Sequence, residues 1–150
     1  MSKPLINWPL QRSRTAFFCI HPSRSFSVFT VKATQHVLAV DDLEKTERYF
    51  LDVLGFSVRF RVEGWSFISL GDFHVMLGHC PDEVPARETH EHAYFAYVNC
   101  DGIDELYARY QQRGAVIFQP ISDKPWGMRE FGVATPEGHR MMFGEDIGDA

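Results

Sequence analysis

Seven histidines, three cysteines and a scatter of serines are the residues of this chain whose types could do chemistry. A bound metal needs three or four N, O or S donors converging on one point. His74, His79, His90 and His92 are the group to weigh for this, but they straddle segment 80–91, which holds two prolines and four acids and reads as a linker. Histidines scattered over the surface explain them with less coincidence. A nucleophile needs an adjacent base. Ser66 and Ser69 stand in a strand pattern without a His–carboxylate context. Cys100 opens a helix, where a thiol pKa can fall, yet Asp101 and Asp104 oppose that shift. The eleven glycines punctuate turns and build no phosphate loop.

The elements that must position such residues follow a repeating order. Segment 34–40 reads as a short apolar strand, and Asp41 with Glu44 reads as a capping box for the helix that follows. Leu43, Phe50, Val53 and Leu54 share one helical face, and Gly55 ends the helix. Three strands are expected at 56–62, 65–70 and 73–78, punctuated by Gly64 and Gly71. After the linker the order returns. A strand at 93–98 leads to a helix capped by Asp101, with Ile103, Leu106, Tyr107 and Tyr110 on its face and Gly114 at its end. A strand at 116–118, a loop at 119–126 and a closing hairpin around Thr135-Pro136-Glu137-Gly138 complete it. The spacing predicts an α+β chain of two βαβββ modules, 33–79 and 91–146, facing each other across a cleft.

Composition bounds the rest. At 150 residues, 45% hydrophobic and 23% charged, the chain has the make-up of an ordinary globular protein, with one domain expected over 33–150. Cys19, Cys80 and Cys100 form no CxxC pair and are too few for a disulfide framework, which fits a reducing, cytoplasmic setting. No apolar run approaches a membrane span. Residues 1–40 carry five basic side chains and no acid; the remainder carries 10 basic against 20 acidic. Such a body repels phosphate backbones, so nucleic acid is not expected as a partner. Residues 1–32, basic and rich in Ser and Phe, have three readings: a disordered extension, a mitochondrial leader, or a misplaced start.

Three stretches carry a family resemblance: VLAVDDLEKTERYFLDVLGF at 37–56, ARYQQRGAVIF at 108–118, and DKPWGMREFGVATPEGHRMMFGE at 123–145. They resemble the vicinal oxygen chelate superfamily of glyoxalases, bleomycin resistance proteins and extradiol dioxygenases, the last stretch most of all its bleomycin-resistance-like branch. The resemblance implies an open, U-shaped mixed sheet, a half-barrel around a small-molecule cleft, and a homodimer in which modules of two chains complete each cleft.

It also implies four positions where the superfamily's enzymes hold a divalent metal, and here these fall at Gln35, Met76, Ala93 and Met142. One amide and two thioethers suit a hard cation poorly. His36 and His92 sit one residue off, which on a strand turns them to the other face unless a bulge intervenes. The expectation is therefore a binding protein without cofactor, metal or catalytic residue. Its ligand-binding candidates are Gln35, Val37, Met76, Phe95, Tyr97, Trp126, Arg129 and Met142, with Ala39 of the same parity. Aromatic faces and thioethers suit an aromatic or amphipathic small molecule. The alternative is a metal-dependent glyoxalase-like lyase or isomerase, or a dioxygenase, using His36 or His92 with Gln35, His74 or Glu145.

Overall fold

The computed structural model describes residues 32–148. The readings made for the leader lie outside the described residues. The first module runs β1 (His36–Val40), α1 (Leu43–Arg48), β2 (Ser57–Val62), β3 (Trp65–Leu70) and β4 (Phe73–His79). The second runs β5 (Tyr94–Asn99), α2 (Ile103–Gln112), β6 (Val116–Asp123), β7 (Met128–Ala134) and β8 (Arg140–Asp146). Each forms a four-stranded mixed sheet, ordered β1-β4-β3-β2 and β5-β8-β7-β6, open rather than closed into a barrel. The duplication extends to the ladders: β1 pairs with β4, and β5 with β8, in parallel.

Alternation decides what each strand buries. Leu38, Val40, Ile68, Val75 and Leu77 of the first sheet point to the helices, as do Phe131, Val133, Met141 and Phe143 of the second. With Phe50, Leu54, Ile103 and Tyr110 from the helical segments they form one shared core. Hydrogen bonds tie the modules together. Tyr49 Oη donates to the Ala134 carbonyl at 2.9 Å and accepts from the Val116 amide at 3.0 Å, while Tyr110 Oη donates to the Leu54 carbonyl at 3.1 Å.

Several local expectations are corrected. The cap of α1 is Asp42, whose side chain accepts from the Lys45 amide, rather than Asp41. A π-helical turn, Tyr49–Val53, follows α1 before Gly55 turns the chain at φ +80°. Asp101 does not cap α2. Gly102 takes that place in a left-handed conformation, and the first free amides, Gly102 and Ile103, donate to the Glu145 carboxylate at 2.9 and 3.0 Å. Those two bonds hold the Glu145 carboxyl below its usual range. The strand expected at 116–118 runs on to Asp123 through two register shifts and Pro120, which an edge strand tolerates. The linker forms 3-10 turns at Ala86–Glu88 and His90–Ala93, so Ala93 is buried ahead of β5 rather than on a strand.

Candidate functional site

Burying one face of each sheet leaves the other open. On the first sheet the open face carries Val37 and Ala39 of β1, Phe60 and Val62 of β2, Trp65 and Phe67 of β3, and Met76 and Gly78 of β4. Phe60 and Phe67 stack with centroids 4.1 Å apart. A Cβ at Gly78 would lie 2.8 Å from the Trp65 ring, so glycine there is what lets the indole lie flat on the sheet. Val37 is 60% exposed. An apolar strip of this size left in water marks a binding or interaction surface.

The second open face combines aromatic walls with two opposite charges, Arg140 and Glu130. Tyr97 of β5 pairs with Met142 of β8, which faces Gly132 of β7. The Phe118 ring lies over Gly132, where any Cβ would clash with it. Arg140 stacks on the rings of Tyr94 and Phe118 at 5.5 and 5.3 Å. Glu130, only 7% exposed, accepts from Tyr97 Oη at 2.8 Å and from Trp126 Nε1 at 3.0 Å. Burial, with the Glu130 carboxylate second, pushes the Tyr97 hydroxyl up to about 12. Trp126 and Tyr97 remain 64% and 47% exposed despite these bonds.

The structure brings some of the eight candidates together and separates others. Tyr97, Trp126 and Met142 share the second open face, and Val37 and Met76 are ladder partners on the first. Gln35 is exposed just ahead of β1. Phe95 falls at a register shift between Tyr94 and Ala96 and leaves the row of Tyr97. Its ring meets His36, Phe73 and His139 at 5.8, 6.3 and 6.1 Å, and with Val37, Ala86 and His92 it lines a small cavity of about 250 Å³. Arg129 parts from Trp126 altogether. It lies on the helix-covered side, held by Asp104 of α2 at 2.8 Å and by Asp123 at 2.6 and 3.0 Å, which raises its pKa. Glu130 was missed by the sequence reading. The available signal was a lone carboxylate within the apolar run of β7.

The positions marked for a metal do not fit one. Gln35 is a single amide, Met76 and Met142 are thioethers on separate sheets, and Ala93 has no donor. His36 shares the parity of Leu38 and Val40 and packs edge-on against Phe73 at 5.2 Å. Among the described residues no three His, Cys, Asp or Glu side chains converge. No helix among them is long and apolar enough to cross a membrane.

With the paired modules and their two open faces in place, a family match covers residues 32–143: the Glyoxalase/Bleomycin resistance protein/Dioxygenase superfamily. The chain belongs to that superfamily. A bleomycin resistance protein from Geobacillus stearothermophilus is 26% identical over 125 residues, covering 73% of this chain and 93% of the relative. Among solved structures, TioX from Micromonospora sp. ML1 superposes with a TM-score of 0.65 at 27% identity, over 77% of this chain and 99% of TioX. TnmS3, an antibiotic binding protein from Streptomyces sp. CB03234, gives 0.65 at 20% identity, over 79% and 98%, a likeness of fold alone.

Proposed function

We propose that the chain is a metal-independent small-molecule binding protein of the bleomycin-resistance type, which sequesters an aromatic or amphipathic ligand without transforming it. The observation that carries this reading is the second open face, where Tyr97 and Trp126 stand exposed while hydrogen-bonded in place by Glu130. Rings held in this way lose little freedom when a flat ligand stacks on them, so contact area converts to affinity. Support for sequestration rather than catalysis comes from Met76 and Met142 at ligand positions of the metalloenzymes, and from relatives that are themselves bleomycin resistance proteins. A second copy of the chain completes each cleft by laying one protomer's first-sheet face opposite its partner's second-sheet face. That arrangement covers the Val37, Phe60 and Val62 strip, which a single chain leaves in water.

The test is equilibrium binding of metal-free bleomycin to chelator-treated protein, read by tryptophan fluorescence and by sedimentation. The expected result is saturable quenching at one ligand per chain, on a dimer, with the ligand recovered unchanged. Binding or turnover that returns only after a divalent metal is restored refutes the reading.

A further inference from the structure

We propose that Glu130 is the ionic anchor of this site and that its ligands are organic cations: planar molecules carrying a protonated amine, amidine or guanidine group. This rests on the binding function proposed above and names the chemistry of what is bound.

Three features of the second open face converge on it. First, Glu130 is 7% exposed, and no Lys, Arg or His side chain among the described residues pairs with it. Its chain neighbour Arg129 would be the obvious partner, but alternation turns that guanidinium to the other side of the sheet, where Asp104 and Asp123 occupy it. A carboxylate withdrawn from water without a counter-ion is costly, and a cation that docks against it relieves that cost.

Second, its hydrogen bonding is lopsided. Tyr97 Oη and Trp126 Nε1 both donate to Oε1, and Oε2 receives no hydrogen bond from the described residues. Among the described residues no buried side-chain oxygen is left without a partner, so Oε2 keeps contact with solvent. The free lone pairs therefore remain available to an incoming donor. Third, the rings beside the carboxylate suit a cation. Neither Trp126 nor Tyr97 packs on another aromatic ring of the described residues, and both stay largely exposed, so each offers its outward side for stacking and cation–π contact. Gly144, the ladder partner of Glu130, clears the space in which the Tyr97 hydroxyl lies.

A purely structural Glu130, a post that ties two rings in place, would make the same hydrogen bonds. The two roles separate on ligand charge. The full chain is titrated with 9-aminoacridine, a cation at neutral pH, and with acridine, the same ring system in neutral form. Wild type is expected to favour the cation about tenfold or more, a difference that shrinks with added salt. Glu130→Gln keeps an acceptor for both rings and removes the charge. It should abolish the preference by costing the cation far more affinity than it costs acridine.

A preference that survives in Glu130→Gln overturns the anchor. Equal losses for both probes overturn it as well, and leave Glu130 a post. Wild type that binds both probes equally overturns the anchor but leaves the binding function standing; wild type that binds neither overturns both. The salt dependence in wild type needs no variant, so the proposal stays testable if Glu130→Gln folds poorly.

Discussion

Replacing Gly144 by alanine tests how the second open face is built. Gly144 does not have positive φ, so alanine is allowed by the backbone, and the perturbation is steric alone. A Cβ there would stand 2.7 Å from Tyr97 Cζ and closer still to the hydroxyl oxygen, while real Cβ contacts begin near 3.0 Å. The ring must retreat, and its oxygen starts 2.8 Å from Glu130 Oε1, so a shift of about 1 Å breaks the bond. A hydrogen bond to a charged group contributes about 1.5–3 kcal/mol. At about 4 °C per kcal/mol for a chain of this size, the melting temperature should fall by about 6–12 °C. The specific readout is Tyr97 itself. NMR of its ring carbon should show the hydroxyl titrating nearer its ordinary 10.0 than the value of about 12 to which burial, and then Glu130, push it. In a Tyr97→Phe background the same substitution should cost about 1.5–3 kcal/mol less, because the bond is already gone. Additive effects of the two substitutions, or an unmoved Tyr97 titration, would refute the placement of the ring over Gly144.

Two further outcomes concern the frame around the site. Tyr49→Phe removes both hydrogen bonds that join the end of α1 to β6 and β7, and should lower stability by about 1–3 kcal/mol in urea denaturation with the m-value unchanged; a neutral result would mean that the modules are not tied there. Burial holds the His139 imidazole below its ordinary 6.5. The stability of the neutral form is therefore fully present above pH 6.5 and is lost as pH falls toward the folded value, because the unfolded chain binds a proton that the folded chain refuses. His139→Gln should flatten this acid-side loss between neutral and mildly acidic pH, and an unchanged slope would show that His139 takes no part in it.

The open sheets, the duplication and most of the core were legible in the chain, because they depend on local signals. A period of two along β1, β4, β7 and β8 sorts Val37, Met76, Glu130 and Met142 to one face and Leu38, Val75, Phe131 and Met141 to the other. Turn glycines and the two apolar helical faces fix where each βαβββ unit starts and stops. Hence Tyr97 and Met142, placed by parity, do meet across the β5–β8 ladder.

What the chain could not show depends on register shifts and on distant partners. One extra residue between Tyr94 and Ala96 takes Phe95 out of the row that parity assigned to it, and nothing local in the run Tyr-Phe-Ala-Tyr marks that bulge. Similar shifts carry β6 past Phe118 into what composition reads as a loop. Arg129 and Trp126, three residues apart at one turn, separate because Asp104 of α2 reaches one and Glu130 the other. The helix start at Gly102 is satisfied by Glu145, 43 residues away, so the nearby Asp101 is not needed. Alternation is a property of the strand and can be read from it. A charge's partner is chosen by what the folded chain brings beside it, and that is why the tertiary structure alone singled out Glu130.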